Sequence, residues 1–202
     1  MSKQVSTTNQ LKGFGFTIDF AGNNLTHIEF DVGKLEAPIN TYSANWAHAK
    51  ISSDGRFTLL FGQIIPFTNI LSTMLSIDYG RERGLNRPWL NRNGDFQQKL
   101  REHVGNPLSI PELDSEALQR TPPKFHHEYS TIEVMAFRED DADISFYHLS
   151  PTEMHTAGLK NKVSKNLVRP LVTVVLSSQL LLALLEQLGG LSSPTEQQES
   201  ET

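Results

Sequence analysis

The chain carries 7 His and no Cys, so metal and acid–base chemistry would rest on imidazoles and carboxylates alone. Without thiolates, cysteine-held zinc, iron–sulfur clusters and cysteine nucleophiles are excluded. His126-His127-Glu128 are consecutive. On a strand the two rings point to opposite faces and cannot hold one ion; on a loop they could. His148, Glu153 and His155 fall at a predicted strand–helix junction, with no HExxH spacing to supply a third ligand. Asp140, Asp141 and Asp143 fall in a predicted hairpin turn, the ordinary place for solvated acids. They lack the spaced Gly and closing Glu of a calcium loop. Gly13-Phe14-Gly15 leads into a strand without the further Gly of a dinucleotide fingerprint. Neither a Walker sequence nor a GxSxG elbow is present. No catalytic, metal or cofactor-binding residue is nominated, no cofactor is expected, and the sequence favours a non-catalytic domain over an enzyme.

A second chemistry is phosphate binding. The net charge is −5, so the whole chain is no polycation, but the charge is uneven. Arg81, Arg83, Arg87, Arg92, Lys99 and Arg101 stand against Glu82 and Asp95, with Trp89 and Phe96 among them. Lys160, Lys162, Lys165 and Arg169 form a stretch without acids. Cations attract a phosphate backbone and aromatics stack on bases. The candidate nucleic-acid contacts are therefore Arg81, Arg83, Arg87, Trp89, Arg92, Lys162 and Lys165. The plainer alternative is that Trp89 and Phe96 anchor a loop whose arginines stay solvated.

Several elements must position these groups. Phe14–Phe20 and Ile28–Val32 alternate apolar and polar residues, which predicts two half-buried strands around a Gly22-Asn23-Asn24 turn. Ala44–Ser52 and Arg56–Ile65 predict a hairpin. A two-residue Asp54-Gly55 turn would mix apolar and polar side chains on both faces. A three-residue Ser53-Asp54-Gly55 loop places Phe57, Leu59 and Phe61 opposite Ile51, Ala49 and Ala47, giving one apolar face. Pro66–Gly80 suits a short helix or a strand. Helices are predicted near Asp95–Val104, and from capping boxes at Ser109–Gln119 and Ser150–Gly158. Strands are predicted at Ile132–Phe137 and Ile144–His148 around the acidic turn Arg138–Asp143.

Leu171–Leu176 is a nearly continuous apolar run, as expected of a central strand covered on both faces. Ser177 or Ser178 would cap a helix over Ser178–Leu188, with Gly189 just past its end. The run is too short and too interrupted for a membrane span. Leu149-Ser150-Pro151 faintly echoes Leu176-Ser177-Ser178, a hint of internal duplication.

Tyr42-Ser43-Ala44-Asn45, then Phe57-Thr58-Leu59-Leu60-Phe61-Gly62-Gln63 and Pro66, then the closing strand, Ser177-Ser178 and a Leu-rich helix carry a resemblance. The chain resembles a family of short bacterial domains of unknown function: a Tyr-x-Asn strand, a Phe-x-Leu-x-Phe-Gly hairpin and a C-terminal strand–Ser–helix unit. The match spans about a quarter of the chain. It departs over 67–129 and at Ser178, where the family often has Pro. The order of elements also looks like that of SecB-like chaperones. The resemblance implies an interaction or chaperone-like role and carries over no catalytic residues.

The expectation is an α+β domain over 11–191: an antiparallel sheet of about six or seven strands with the C-terminal helix on one face and a loop/helix insertion at 67–124. Residues 1–10 are expected as a disordered leader without a signal peptide, and 192–202 as a disordered acidic tail. A cysteine-free bacterial cytoplasmic protein that binds a protein partner is expected, with nucleic acid as the alternative, homo-oligomerisation left open and no membrane.

Overall fold

The computed structural model describes residues 14–20, 24–30, 35–51, 56–68, 70–81, 94–110, 124–148 and 168–192. β1 (Phe14–Phe20) and β2 (Asn24–Phe30) pair antiparallel with each other, Phe14 opposite Phe30. β3 (Asn40–Ser43), β4 (Trp46–Ile51), β5 (Arg56–Ile65) and β6 (Ile70–Arg81) follow, then helix α1 (Gly94–Val104). After these come β7 (Lys124–Tyr129), β8 (Ile132–Arg138), β9 (Asp141–His148), β10 (Arg169–Ser177) and helix α2 (Ser178–Ser192).

The expected single antiparallel sheet is instead two four-stranded sheets, β4-β5-β6-β7 and β3-β10-β9-β8, each ending in a parallel pair. The reason lies at two bends. Ala44 N–H donates to Val175 O on β10, and the next amide, Asn45 N–H, donates to Gly62 O on β5. Likewise Ser130 N–H donates to Asp78 O on β6 and Thr131 N–H to Tyr147 O on β9. Consecutive amides thus pass β3–β4 and β7–β8 from one sheet to the other. Backbone pairing then runs around a ring: β3/β4, β5, β6, β7/β8, β9, β10. Ring closure leaves the sheets few free edges.

The two halves repeat each other, and the repeat is not the one hinted at by Ser150-Pro151. Each is a short strand, a two-residue bend, a three-stranded meander and a helix. Ala47, Phe61 and Leu75 lie across one meander as Glu133, Phe146 and Val172 lie across the other. Ala49, Leu59 and Ile77 match Met135, Ile144 and Val174 in the same way. The equivalent rings Phe61 and Phe146 meet in the core with centroids 5.8 Å apart. The first strand of each half pairs with the last strand of the other. The halves differ at Gly62, which answers to Tyr147. A Cβ on Gly62 would lie 2.4 Å from Leu71 Cδ1 and 2.9 Å from Thr73 O, so no side chain fits there.

The hairpin register predicted from alternation is the observed one: Ile51 opposite Phe57, Ala49 opposite Leu59, Ala47 opposite Phe61. β10 is central, between β3 and β9, as its apolar run required. Ser177 is the cap: its Oγ accepts Leu180 N–H at 3.1 Å. α2 runs on through Gly189 and Gly190 to Ser192 rather than stopping at Gly189, since glycine permits a helix end without forcing one. The acidic turn is shorter than expected, because Arg138 already pairs with Asp141. Pro66–Gly80 resolves as strand β6, and the segment expected as an insertion therefore opens with a strand bonded to both β5 and β7. The rest of it at 82–93 and 111–123 lies outside the described residues, as do the capping-box helix beyond Ile110, the Ser150–Gly158 helix, the leader and the tail beyond Ser192.

Candidate functional site

The strand directions give the barrel two unlike ends. β6 leads towards α1 and β10 runs directly into α2, so both helices gather at one end. Ser178 N–H donates to Asp140 O, and His103 Nε2 lies 2.7 Å from Glu139 O; both contacts fix the helices to the β8–β9 turn. Phe96 and His103 set their rings against Phe137. Leu180, Leu181, Leu182, Leu184, Leu185 and Leu188 are all buried in the core shared with the sheets. Gln187 on α2 closes the flank of β4, accepting Ala49 N–H at 2.9 Å and placing Nε2 2.8 Å from His48 Nδ1. Burial, and then the charge of Lys50, lower the His48 pKa, so its Nδ1 stays an acceptor for Gln187.

At the opposite end β3, β7 and β10 begin and β5 turns into β6. Large apolar side chains are exposed there: Ile39 just before β3 (96%), Phe125 in β7 (63%), Ile65 at the end of β5 (44%) and Phe67 in the turn (108%). Among the described residues the exposed charges flanking these strand starts are Lys124, Arg169 and Glu36. The turn is built firmly. Thr68 N–H donates to Ile65 O at 3.2 Å, its hydroxyl donates to the same oxygen at 2.9 Å, and Ile70 N–H donates back to that hydroxyl. Pro66 in second place and Phe67 in third at φ 66° is the type II pattern. That third place favours glycine, and a bulky residue there is strained.

Two polar clusters complete the inventory. On the outer face of the β4–β7 sheet Thr58 Oγ1 donates to Asp78 Oδ1 at 2.7 Å, while Asp78 Oδ2 lies 3.4 Å from His127 Nε2. Ser76 stands in register with His127, but among the described residues the ring's polar contact is with Asp78 and none joins it to Ser76. No hydroxyl is activated by this arrangement. On the inner side, burial and the neighbouring Glu133 carboxylate raise the Tyr79 phenol well above its ordinary pKa, with Ser130 close by. These groups satisfy one another inside the fold.

The histidines nominated from sequence separate as a strand requires. His126 faces inward with its ring edge-on to Tyr42, and His127 faces outward to Asp78. Asp141 and Asp143 are strand residues of β9. His148 sets its ring against Tyr129, but Glu153 and His155 lie outside the described residues. No group of three metal-ligating side chains occurs among the described residues. Among them, too, no helix is long and apolar enough to cross a membrane. Of the basic candidates, Arg81 ends β6, and Lys99 and Arg101 lie on α1, where Arg101 pairs with Glu186 at 2.7 Å. Arg83, Arg87, Trp89, Arg92, Lys162 and Lys165 lie outside the described residues. The exposed residues Ile39, Phe67 and Phe125 escape sequence reasoning because their types suit a core equally well. The signal available was Pro66, which marks a turn and so makes the next residue a tip.

No family model, curated protein or solved structure matches this chain.

Proposed function

We propose that the chain is a non-catalytic protein-interaction domain that docks a folded protein partner on the barrel end away from its helices. One observation carries this: Ile39, Ile65, Phe67 and Phe125 are exposed together at that end, while the leucines of the other end are buried. Exposed apolar side chains gathered in one region, beside polar residues such as Lys124 and Arg169, are the usual mark of a protein contact. The described polar clusters support the same reading, because Asp78 is engaged by Thr58 and His127 and Tyr79 by its neighbours.

A pull-down from native host lysate, with and without nuclease, compares the wild-type chain with the triple variant Ile39→Ser, Phe67→Ser, Phe125→Ser. The wild type should retain a discrete protein under both conditions, and the variant should lose it while melting normally. Equal retention by the folded variant would refute the docking end. Loss on nuclease treatment would return the basic segments to first place.

A further inference from the structure

We infer that Phe67 is the anchor of this docking end, presented as a single rigid ring to a phenyl-sized apolar pocket on the folded partner. The inference rests on the interaction reading and adds the residue and the chemistry of its receptor.

Three observations converge on Phe67. Its side chain is completely exposed, so the fold gains nothing from burying it. Its backbone sits at φ 66°, in a turn position that glycine fills without cost. The turn is nonetheless fixed by three hydrogen bonds around Ile65 and Thr68 and by Pro66, which presets its own φ. Strain of this kind persists where surrounding structure imposes it, and it clusters at ligand contacts. A phenyl ring on a stiff turn also loses little conformational freedom on binding, which suits an anchor.

The geometry also chooses between receptors. A fluid acyl layer accepts a Phe from any unstrained loop, whereas a pocket of fixed shape needs the ring aimed. The hairpin from Phe57 to Ile77 contains no charged residue, so it offers no cation of its own to lipid headgroups. A desolvated pocket accepts such a tip without stranding a charge.

The test uses the full chain with benzoylphenylalanine in place of Phe67, irradiated in native host lysate. The same photoreactive group in place of Lys99 on α1 serves as the control. Position 67 should give a discrete protein adduct that position 99 does not. Excess wild-type chain should suppress the adduct. Phe67→Gly should compete about tenfold worse or more, the scale of a hot-spot aromatic, while melting no lower than wild type. Capture alone does not count; the loss of competition together with retained or raised melting temperature does. Competition by Phe67→Gly equal to wild type overturns the anchor, and if Ile39→Ser or Phe125→Ser then competes poorly, the docking end itself stands. An adduct at both positions, no adduct at 67, a Phe67→Gly chain that melts lower, or Phe67-dependent binding to phosphatidylcholine–phosphatidylserine vesicles also overturns it.

Discussion

The two ends of the barrel use the same residue types to opposite effect. At one end α2 sinks Leu180, Leu181, Leu184, Leu185 and Leu188 into the core, and backbone groups at the margin find partners in Gln187 and Ser177. At the other, Ile39, Phe67 and Phe125 stand in solvent. Apolar composition therefore says nothing by itself about burial. What separates the ends is whether a helix follows the strand: β6 and β10 end in helices, whereas β5 ends in a four-residue turn that leaves its tip bare.

Opposed substitutions test this contrast. Leu184→Asp places an unpaired charge in the core and should cost about 4 kcal/mol or more, enough to unfold the chain. Phe125→Asp should change stability by no more than about 0.5 kcal/mol. Thermal melts that move together would abolish the contrast between the ends. A smaller pair concerns the backbone. Ser177→Ala removes the α2 cap and should cost about 1 kcal/mol. Phe67→Gly should instead gain roughly 1 kcal/mol, because relief of about 1–2 kcal/mol of strain exceeds the freedom glycine adds to the unfolded chain. Denaturant midpoints shifted in the same direction would show that Phe67 is not strained as described.

The smallest effect is one of pH. His48 has a folded-state pKa below its ordinary value of 6.5. The unfolded chain therefore takes up a proton first as pH falls. The wild type should lose stability as pH drops from about 6.5 through the lowered value, and His48→Gln should lack that increment. Matching melting curves for the two between pH 7.5 and 5.5 would mean that the Gln187 contact is indifferent to protonation.

Much of the fold was legible where apolar alternation is local. Ala47, Ala49 and Ile51 against Phe61, Leu59 and Phe57 fix the β4–β5 register, and the run Leu171–Leu176 fixes a central strand. β6 was ambiguous because Leu71 and Met74 line its outer face while Leu75 and Ile77 line the inner, which erases alternation. The second sheet was hidden because Ala44-Asn45 and Ser130-Thr131 bend without Gly or Pro and pair with strands distant in sequence. β7 reads as a polar loop, since Lys-Phe-His-His-Glu-Tyr is mostly exposed. At the candidate site the turn was legible from Pro66, but neither the positive φ nor the exposure of its phenylalanine leaves a trace in residue type.

The exchange of first strands between halves bears on how the protein is made. β3 emerges early, yet its hydrogen-bonding partner is β10, with Asn40 opposite Val172. At roughly 5–20 residues per second β3 waits on the order of ten seconds for that partner to be synthesised. β7 finds β6 already in place. A long apolar strand left waiting would recruit neighbouring chains, but β3 is only 4 residues long and reads Asn-Thr-Tyr-Ser. The strand that must stay unpaired longest on the ribosome is thus the shortest and among the most polar in the barrel, and its late docking makes completion of the chain a precondition for closing the ring.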